Sequence, residues 1–348
     1  MPKLKGIKTL VGNNTNQPIP RYFRALTLLI ALLLVPFSSQ SAFAKDKVQH
    51  LTWAHVYEQS EPLHKWALWA ANEINIKSNG RFQIDVFPAS IMGKEAELNQ
   101  SLTLGIVDII NTGTSFAGQN YPPMALSELP YVFRDYQHWQ MFNKSALFDE
   151  IKQGYLEKTR GNRVLGNSYY GQRHITSNKP IHTPSDMVNL KLRVPNASIY
   201  KMFPLAVGAN PSPIAFSETY LALQQGVVDA QENPLPTIKA KKFYEVQAYI
   251  SLTGHLQGTV LTVLGDRLWS SLSVQDRTLF SETLEQAAEN ISADTRMAEL
   301  ALVQWFEEQG ITVLMVDRSE FRKQVLPSHK EVIHLLGADL YDRLQNIK

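Results

Sequence analysis

The sequence predicts an α/β protein built as two similar lobes with a long helix reaching across both, and three observations carry that class. Short strand-like runs alternate with amphipathic helical ones from Lys45 onward. A strand–helix–strand pattern in the first half returns in the second. A long stretch from Ser273 to Gln309 contains neither Gly nor Pro.

His50 to Trp53 reads as the opening strand. Pro62 to Lys77 reads as a helix, with Leu63, Trp66, Ala70 and Ile74 on one face and Asn79-Gly80 as its stop. Phe82, Ile84 and Val86 alternate with Gln83 and Asp85, which gives a second strand ended by Pro88. Glu95 to Leu104 is helical, and Ile106 to Asn111 is a strand. The run Leu190 to Ser198 then echoes Phe82 to Ser90. Glu218 followed by Gly226-Val227-Val228-Asp229 mirrors Glu97 followed by Gly105-Ile106-Val107-Asp108, at the same interval. Ser273 with Asp276 makes a capping box and Gly310 a stop. One helix between them would be about 55 Å long, enough to bridge both lobes. Two shorter helices broken near Asn290 fit the same periodicity.

The chain has 348 residues, 34 Lys and Arg against 32 Asp and Glu, 44% hydrophobic residues and no cysteine. That length suggests about two domains with a large core. The absence of cysteine excludes disulfides, iron–sulfur clusters, cysteine zinc sites and thiol nucleophiles. The net charge of +2 is unevenly spread: Lys3, Lys5, Lys8, Arg21 and Arg24 precede residue 45 with no acid among them. Taking those five from 34 leaves 29 basic against 32 acidic residues, a net of −3. A mildly acidic body lacks the electrostatic footprint of a nucleic-acid binder.

Arg21 and Arg24 precede the apolar run Ala25 to Phe37, and Ala42-Phe43-Ala44 follows. Basic, apolar, then small-x-small is the layout of a secretory signal over residues 1–44, cleaved after Ala44. The apolar run is short for a membrane span of roughly 20 residues, although an uncleaved anchor is the alternative. The expectation is a soluble exported protein, free in a bacterial periplasm.

Arg193 lies near the carboxyl end of a predicted strand, where open α/β sheets place ligands. A guanidinium offers a carboxylate two parallel N–H donors and stays charged when desolvated. Strand alternation sets Arg193 opposite Leu192 and Val194. On spacing alone, a surface arginine paired with a nearby acid is the simpler reading, and the same holds for Arg173 in Tyr170 to Ser177. Asn233, at the polar exit from the second Gly-Val-Val-Asp strand, reads as a helix cap. Phe216, before a helix, reads as core.

No His-x-x-x-His pair and no glycine-rich phosphate loop occurs, so neither a metal nor another cofactor is expected. Gly113-Thr114-Ser115-Phe116-Ala117-Gly118 nearly matches a nucleophile elbow, with its second glycine one residue late. This leaves a periplasmic serine hydrolase using Ser115 as a competing class. Otherwise Ser115 caps a helix or hydrogen-bonds a ligand.

Gly171-Gln172-Arg173-His174-Ile175-Thr176-Ser177-Asn178, Leu190 to Asn196, Pro213 to Glu218, Val228 to Pro234 and Phe243 to Gln247 together resemble the solute-binding proteins of TRAP transporters, the DctP family. The likeness covers essentially the whole exported chain. It implies a two-lobed periplasmic binding protein, type II-like, closing as a Venus flytrap, with crossing strands and a bridging helix. Lobe I would take residues 45–170 and 259–298, and lobe II residues 171–258 and 299–348. The resemblance implies binding rather than turnover, a monomer, and membrane permease subunits as partners.

It also implies that Arg193 forms the main salt bridge to a ligand carboxylate, assisted by Arg173. Asn233 would hydrogen-bond the ligand and Phe216 pack against its carbons, which reverses the local readings of both. His55, Thr114 and Ser115 complete the candidate ligand-binding set. The sialic-acid-binding branch carries an acid and an arginine where this loop has Gly113 and Phe116; the loop is more similar to the branch that binds diketogulonate-like sugar acids. A compact monocarboxylate sugar acid, a uronate or aldonate, is therefore expected. A C4-dicarboxylate, an oxo-acid or sialate is the alternative, and a sensory role shares the same fold.

Overall fold

Alternating apolar side chains bring the first strands together. The computed structural model describes residues 48–348, so the expected signal segment 1–44 lies outside it. Strands β1 (Gln49–Ala54) and β2 (Phe82–Phe87) pair in parallel, Leu51 with Ile84 and Trp53 with Val86. The helix Pro62–Lys77 forms as expected, Pro at its start needing no N–H partner. It buries Leu63, Ala67, Ala70 and Ile74.

Strand β3 (Ile109–Gly113) starts three positions later than the hydrophobic run suggests. Ile106, 64% exposed, belongs instead to a turn whose N–H donates to the Ser101 carbonyl. The remaining strands are β4 (Arg163–Ser177), β5 (Lys191–Val194), β6 (Asn210–Pro213), β7 (Ala230–Pro234), β8 (Tyr249–Leu264) and β9 (Thr312–Leu314).

The internal echo has a physical basis. Gly105 and Gly226 both take a left-handed turn, at φ 68° and 69°. Three residues on, Asp108 accepts the Thr52 N–H of β1 and Asp229 accepts the Lys191 N–H of β5, each at 2.9 Å. Both Gly-x-x-Asp segments are therefore junctions that clamp a parallel strand, and the strand itself begins after the Asp.

Among the described residues nine strands form one sheet in the order β2-β1-β3-β8-β4-β7-β5-β6, with β9 beside β8. The long strands β4 and β8 pair antiparallel through the middle. One lobe gathers β1–β3 at one end of this pair, where Val260 to Leu264 meets β3. The other gathers β5–β7, where Arg173 to Ser177 meets β7.

Val274–Glu308 is one continuous helix rather than two broken near Asn290. Ser273 caps it by accepting the Asp276 N–H at 3.1 Å. Phe280 and Leu284 near its start complete the core formed by Leu51, Trp53 and Ile74. Leu302 and Phe306 near its end complete a second core with Leu235, Phe243 and Ile250. The helix bridges the lobes because its two ends are apolar partners of two different cores.

Candidate functional site

Arg193 and Arg173 reach a common cavity from opposite sides of β7. In register, Arg193 of β5 lies beside Gln231 and Arg173 of β4 beside Pro234. The cavity measures about 160 Å³, and Arg193, Arg173, Asn233 and Phe216 all line it. Tyr57, Glu95, Glu128, Tyr170 and Tyr200 are further polar members of its wall, with Lys94 and Glu97 beside them.

The two arginines differ in electrostatic state. Arg173 donates from Nη2 to Glu232 Oε1 at 2.7 Å and to the Glu232 carbonyl at 2.8 Å, and from Nε to Glu232 Oε2. Burial opposes its charge, but the Glu232 carboxylate raises its pKa above the ordinary arginine value. Burial likewise opposes the Glu232 charge, and Arg173 holds that carboxyl down at about 2. The pair is a bidentate, internally neutral unit.

Arg193 has no such partner. Its Nε and Nη2 both donate to the Ile214 carbonyl, at 3.0 and 2.7 Å, and its buried Nη1 has no hydrogen-bond partner. Arg193 is only 1% exposed, and burial lowers its pKa to about 10, which leaves it charged at neutral pH. A buried cation without a counter-ion is costly unless an anion completes it. The geometry suits one carboxylate.

Asn233 lies within β7 rather than beyond its end, and caps nothing. The next helix, Leu235–Ala240, has Pro234 at its cap position, while Asn233 Nδ2 donates to Gln231 Oε1 at 2.6 Å. Phe216 opens the turn Phe216–Glu218, half-buried, with its ring 6.3 Å from that of Tyr57 and Lys241 Nζ 5.1 Å from its centre.

Three expected site residues do not line the cavity. His55 is fully buried, its Nε2 3.1 Å from His64 Nδ1. Burial, then the neighbouring His64, pushes its pKa down to about 3. Its neighbours Val56 and Tyr57 line the cavity instead. In the short helix Thr114–Ala117, Gly113 and Phe116 face the cavity, one turn apart, and the side chains between them face away. Thr114 Oγ1 donates to Glu128 Oε1 at 3.2 Å and accepts from Ser127 at 3.0 Å. Ser115 borders a separate groove with Ile199, Met202 and Leu335, and it caps no helix. Its buried Oγ has no hydrogen-bond partner, so no histidine stands by as a base. The nucleophile-elbow reading fails on that geometry.

Glu95 is the cavity residue that sequence reading missed. It opens the helix Glu95–Thr103, beyond the loop that follows β2, where an acid in the first turn reads simply as a favourable charge at a helix start. Glu128 and the three tyrosines come from distant segments and carried no local mark.

Residues 53–334 match the model of DctP, bacterial extracellular solute-binding protein family 7. A sialic acid-binding periplasmic protein of Vibrio cholerae is 33% identical over 79% of this chain and 85% of its own. A TRAP periplasmic solute-binding protein of a Polaromonas species, solved bound to D-erythronate, superposes with a TM-score of 0.83 at 30% identity, covering 86% of this chain and 99% of that one. Another from Roseobacter denitrificans, with bound L-galactonate, gives a TM-score of 0.80 at 28% identity over the same shares. These are binding proteins, not enzymes. The two-lobed fold is thus one this chain shares with its relatives, and the chain belongs to the DctP family of periplasmic solute-binding proteins of TRAP transporters.

Proposed function

We propose that this protein captures a monocarboxylate sugar acid, an aldonate or uronate, and delivers it to its membrane permease. The observation that carries the reading is the buried Nη1 of Arg193, without a partner in a cavity whose other arginine is already neutralised. The ligand carboxylate docks on Arg193, while Asn233 and the remaining N–H groups of Arg173 meet it or the adjoining hydroxyls. Phe216 covers its carbon chain. Relatives bound to D-erythronate and L-galactonate support the class.

In this reading lobe I comprises residues 45–170 and 259–298, and lobe II residues 171–258 and 299–348. The change of pairing partner along β4 and β8 supports those limits. The exported form begins after Ala44 and acts as a monomer. Contacts such as Lys94 Nζ to Glu218 Oε1 at 2.5 Å and Lys241 Nζ to Glu58 Oε1 at 2.8 Å join the lobes in the closed form. Ligand shifts an open–closed equilibrium by its preference for that form.

A thermal-shift screen tests the assignment, because a tight ligand raises the melting temperature by mass action. Aldonates or uronates are expected to raise it most. A shift given only by succinate, an oxo-acid or sialate overturns the sugar-acid class.

A further inference from the structure

Before any ligand arrives the cavity wall carries one arginine that is paired and one that is not. Arg173 is cancelled by Glu232, to which it bonds through both carboxylate oxygens. Arg193 is then the cation that an anion can complete. On the same wall are three carboxyl groups, Glu95, Glu97 and Glu128, of which Glu97 caps its own helix by accepting the Lys94 N–H at 2.8 Å. Glu128 is fully buried: its Oε1 accepts from the Thr259 N–H at 2.9 Å and from Thr114 at 3.2 Å, while its Oε2, shut off from solvent, has no hydrogen-bond partner.

Glu95 is clamped in the same way but is only half-buried, so its second oxygen is open to the cavity rather than sealed. Its Oε1 accepts from the Gly113 N–H at 2.6 Å and from Thr112 Oγ1 at 3.2 Å. Asn99 Nδ2 fixes this arrangement, bonding both the Glu95 carbonyl at 2.9 Å and Thr112 Oγ1 at 2.8 Å. The carboxyl group is thereby clamped by one oxygen, and Oε2 has no donor among the described residues. The adjacent ammonium does not neutralise it, since Lys94 Nζ bonds Glu218. Burial pushes the Glu95 carboxyl up to about 7, so the clamped acceptor suits a hydroxyl donor, and its ionised form, which grows as pH rises through neutrality, repels a second anion.

We propose that Glu95 sets the charge class of the ligand: it accepts hydrogen bonds from hydroxyl groups remote from the bound carboxylate and rejects any ligand whose far end is a second carboxylate. Specificity then arises from a repulsive element as well as an attractive one. This rests on the sugar-acid reading above and assigns its selectivity to one side chain.

The test compares an aldonate with its aldarate, the same carbon chain with the terminal CH₂OH replaced by a carboxylate. Calorimetry would measure both ligands, the aldonate being the one the thermal screen selects, on the wild type, Glu95→Gln and Glu95→Ala. The wild type should prefer the aldonate, and both variants should lower the aldonate-to-aldarate ratio by about tenfold or more, mainly by gaining affinity for the aldarate. Glutamine retains an oxygen for the Gly113 N–H, and melting of each unligated variant reports its fold. If either variant is misfolded, the ratio measured on the other decides.

An unchanged ratio, or a parallel loss for both ligands, overturns the role of Glu95 while leaving the sugar-acid reading intact. A wild type that prefers the aldarate overturns both.

Discussion

Arg193 on β5 and Arg173 on β4 flank the same strand, β7, yet the protein neutralises only Arg173, whose Glu232 partner lies on that strand between them. The consequence is a division of labour. Arg193→Ala should weaken ligand binding by about 2–5 kcal/mol, the range for removing one member of a buried charge pair. Arg193→Lys should also bind poorly, because an ammonium lacks the two-pronged fork. Neither change should destabilise the ligand-free protein much, since Arg193 is buried there with an unsatisfied Nη1. Calorimetry and urea unfolding on the same samples check both halves, and near-normal affinity in Arg193→Ala would remove Arg193 from the site.

Arg173 should behave in the opposite way. Its removal strands the Glu232 carboxylate, 2% exposed, with His255 Nε2 at 3.2 Å as its remaining side-chain partner. Arg173→Met should cost about 3–5 kcal/mol of stability, whereas the double variant Arg173→Met with Glu232→Leu should recover most of it. Urea midpoints decide the matter: equal stability of the single and double variants would mean the charge pair is not what holds β4 to β7.

The difference between these arginines was invisible in the sequence, although both were picked out there. Strand ends, the helix Pro62–Lys77 and the long helix were legible because each rests on local signals: periodicity, a proline start, a Ser cap. The Ile106 to Asn111 run misled because hydrophobicity cannot register that Asp108 must first clamp Thr52 before β3 can start. Glu95 and Glu128 were missed for another reason. Their roles depend on which oxygen is occupied and by whom, and those donors lie as far off as Thr259. His55, Thr114 and Ser115 sit close in sequence to cavity residues, but one residue along a chain turns a side chain to the other face.

Glu61 provides a pH-dependent prediction. Its Oε2 accepts from Thr237 Oγ1 at 2.8 Å and Tyr170 Oη at 3.3 Å, and its Oε1 from the Glu58 N–H at 2.9 Å. Burial pushes its carboxyl up to about 7 despite those bonds, with the nearby Glu58 adding to the rise. Lys241, which pairs with Glu58, is the facing cation. The native group thus keeps its proton to about pH 7, whereas the unfolded chain releases it near 4.5. Over that window the native state binds more protons, so Glu61 lowers stability as pH rises, by about 3 kcal/mol in all. Glu61→Gln lacks this penalty and keeps hydrogen bonds to the hydroxyls. Its stability relative to wild type should rise between pH 5 and pH 8. A difference that stays flat across that range would show that Glu61 titrates normally.

Gly171 links the backbone of β4 to the geometry of the cavity. It sits at a register shift, with φ +116°, where a side chain is strained. An added Cβ would lie 2.7 Å from Pro234 Cβ and 3.0 Å from Glu299 Oε1. Pro234 follows Asn233 and faces Arg173 in register, so relief of that clash must move the strip of β7 that carries Asn233 against the strand that carries Arg173. Gly171→Ala should therefore lose about 1–3 kcal/mol of stability and ligand affinity with it, although the new methyl adds no ligand contact. Gly166→Ala is the control. Its Cβ would meet the Leu284 carbonyl at 3.0 Å under the long helix, and Gly166 does not line the cavity. It should lose stability while the folded protein binds ligand as before. Wild-type affinity in Gly171→Ala would show that the register of β7 against β4 does not position the site.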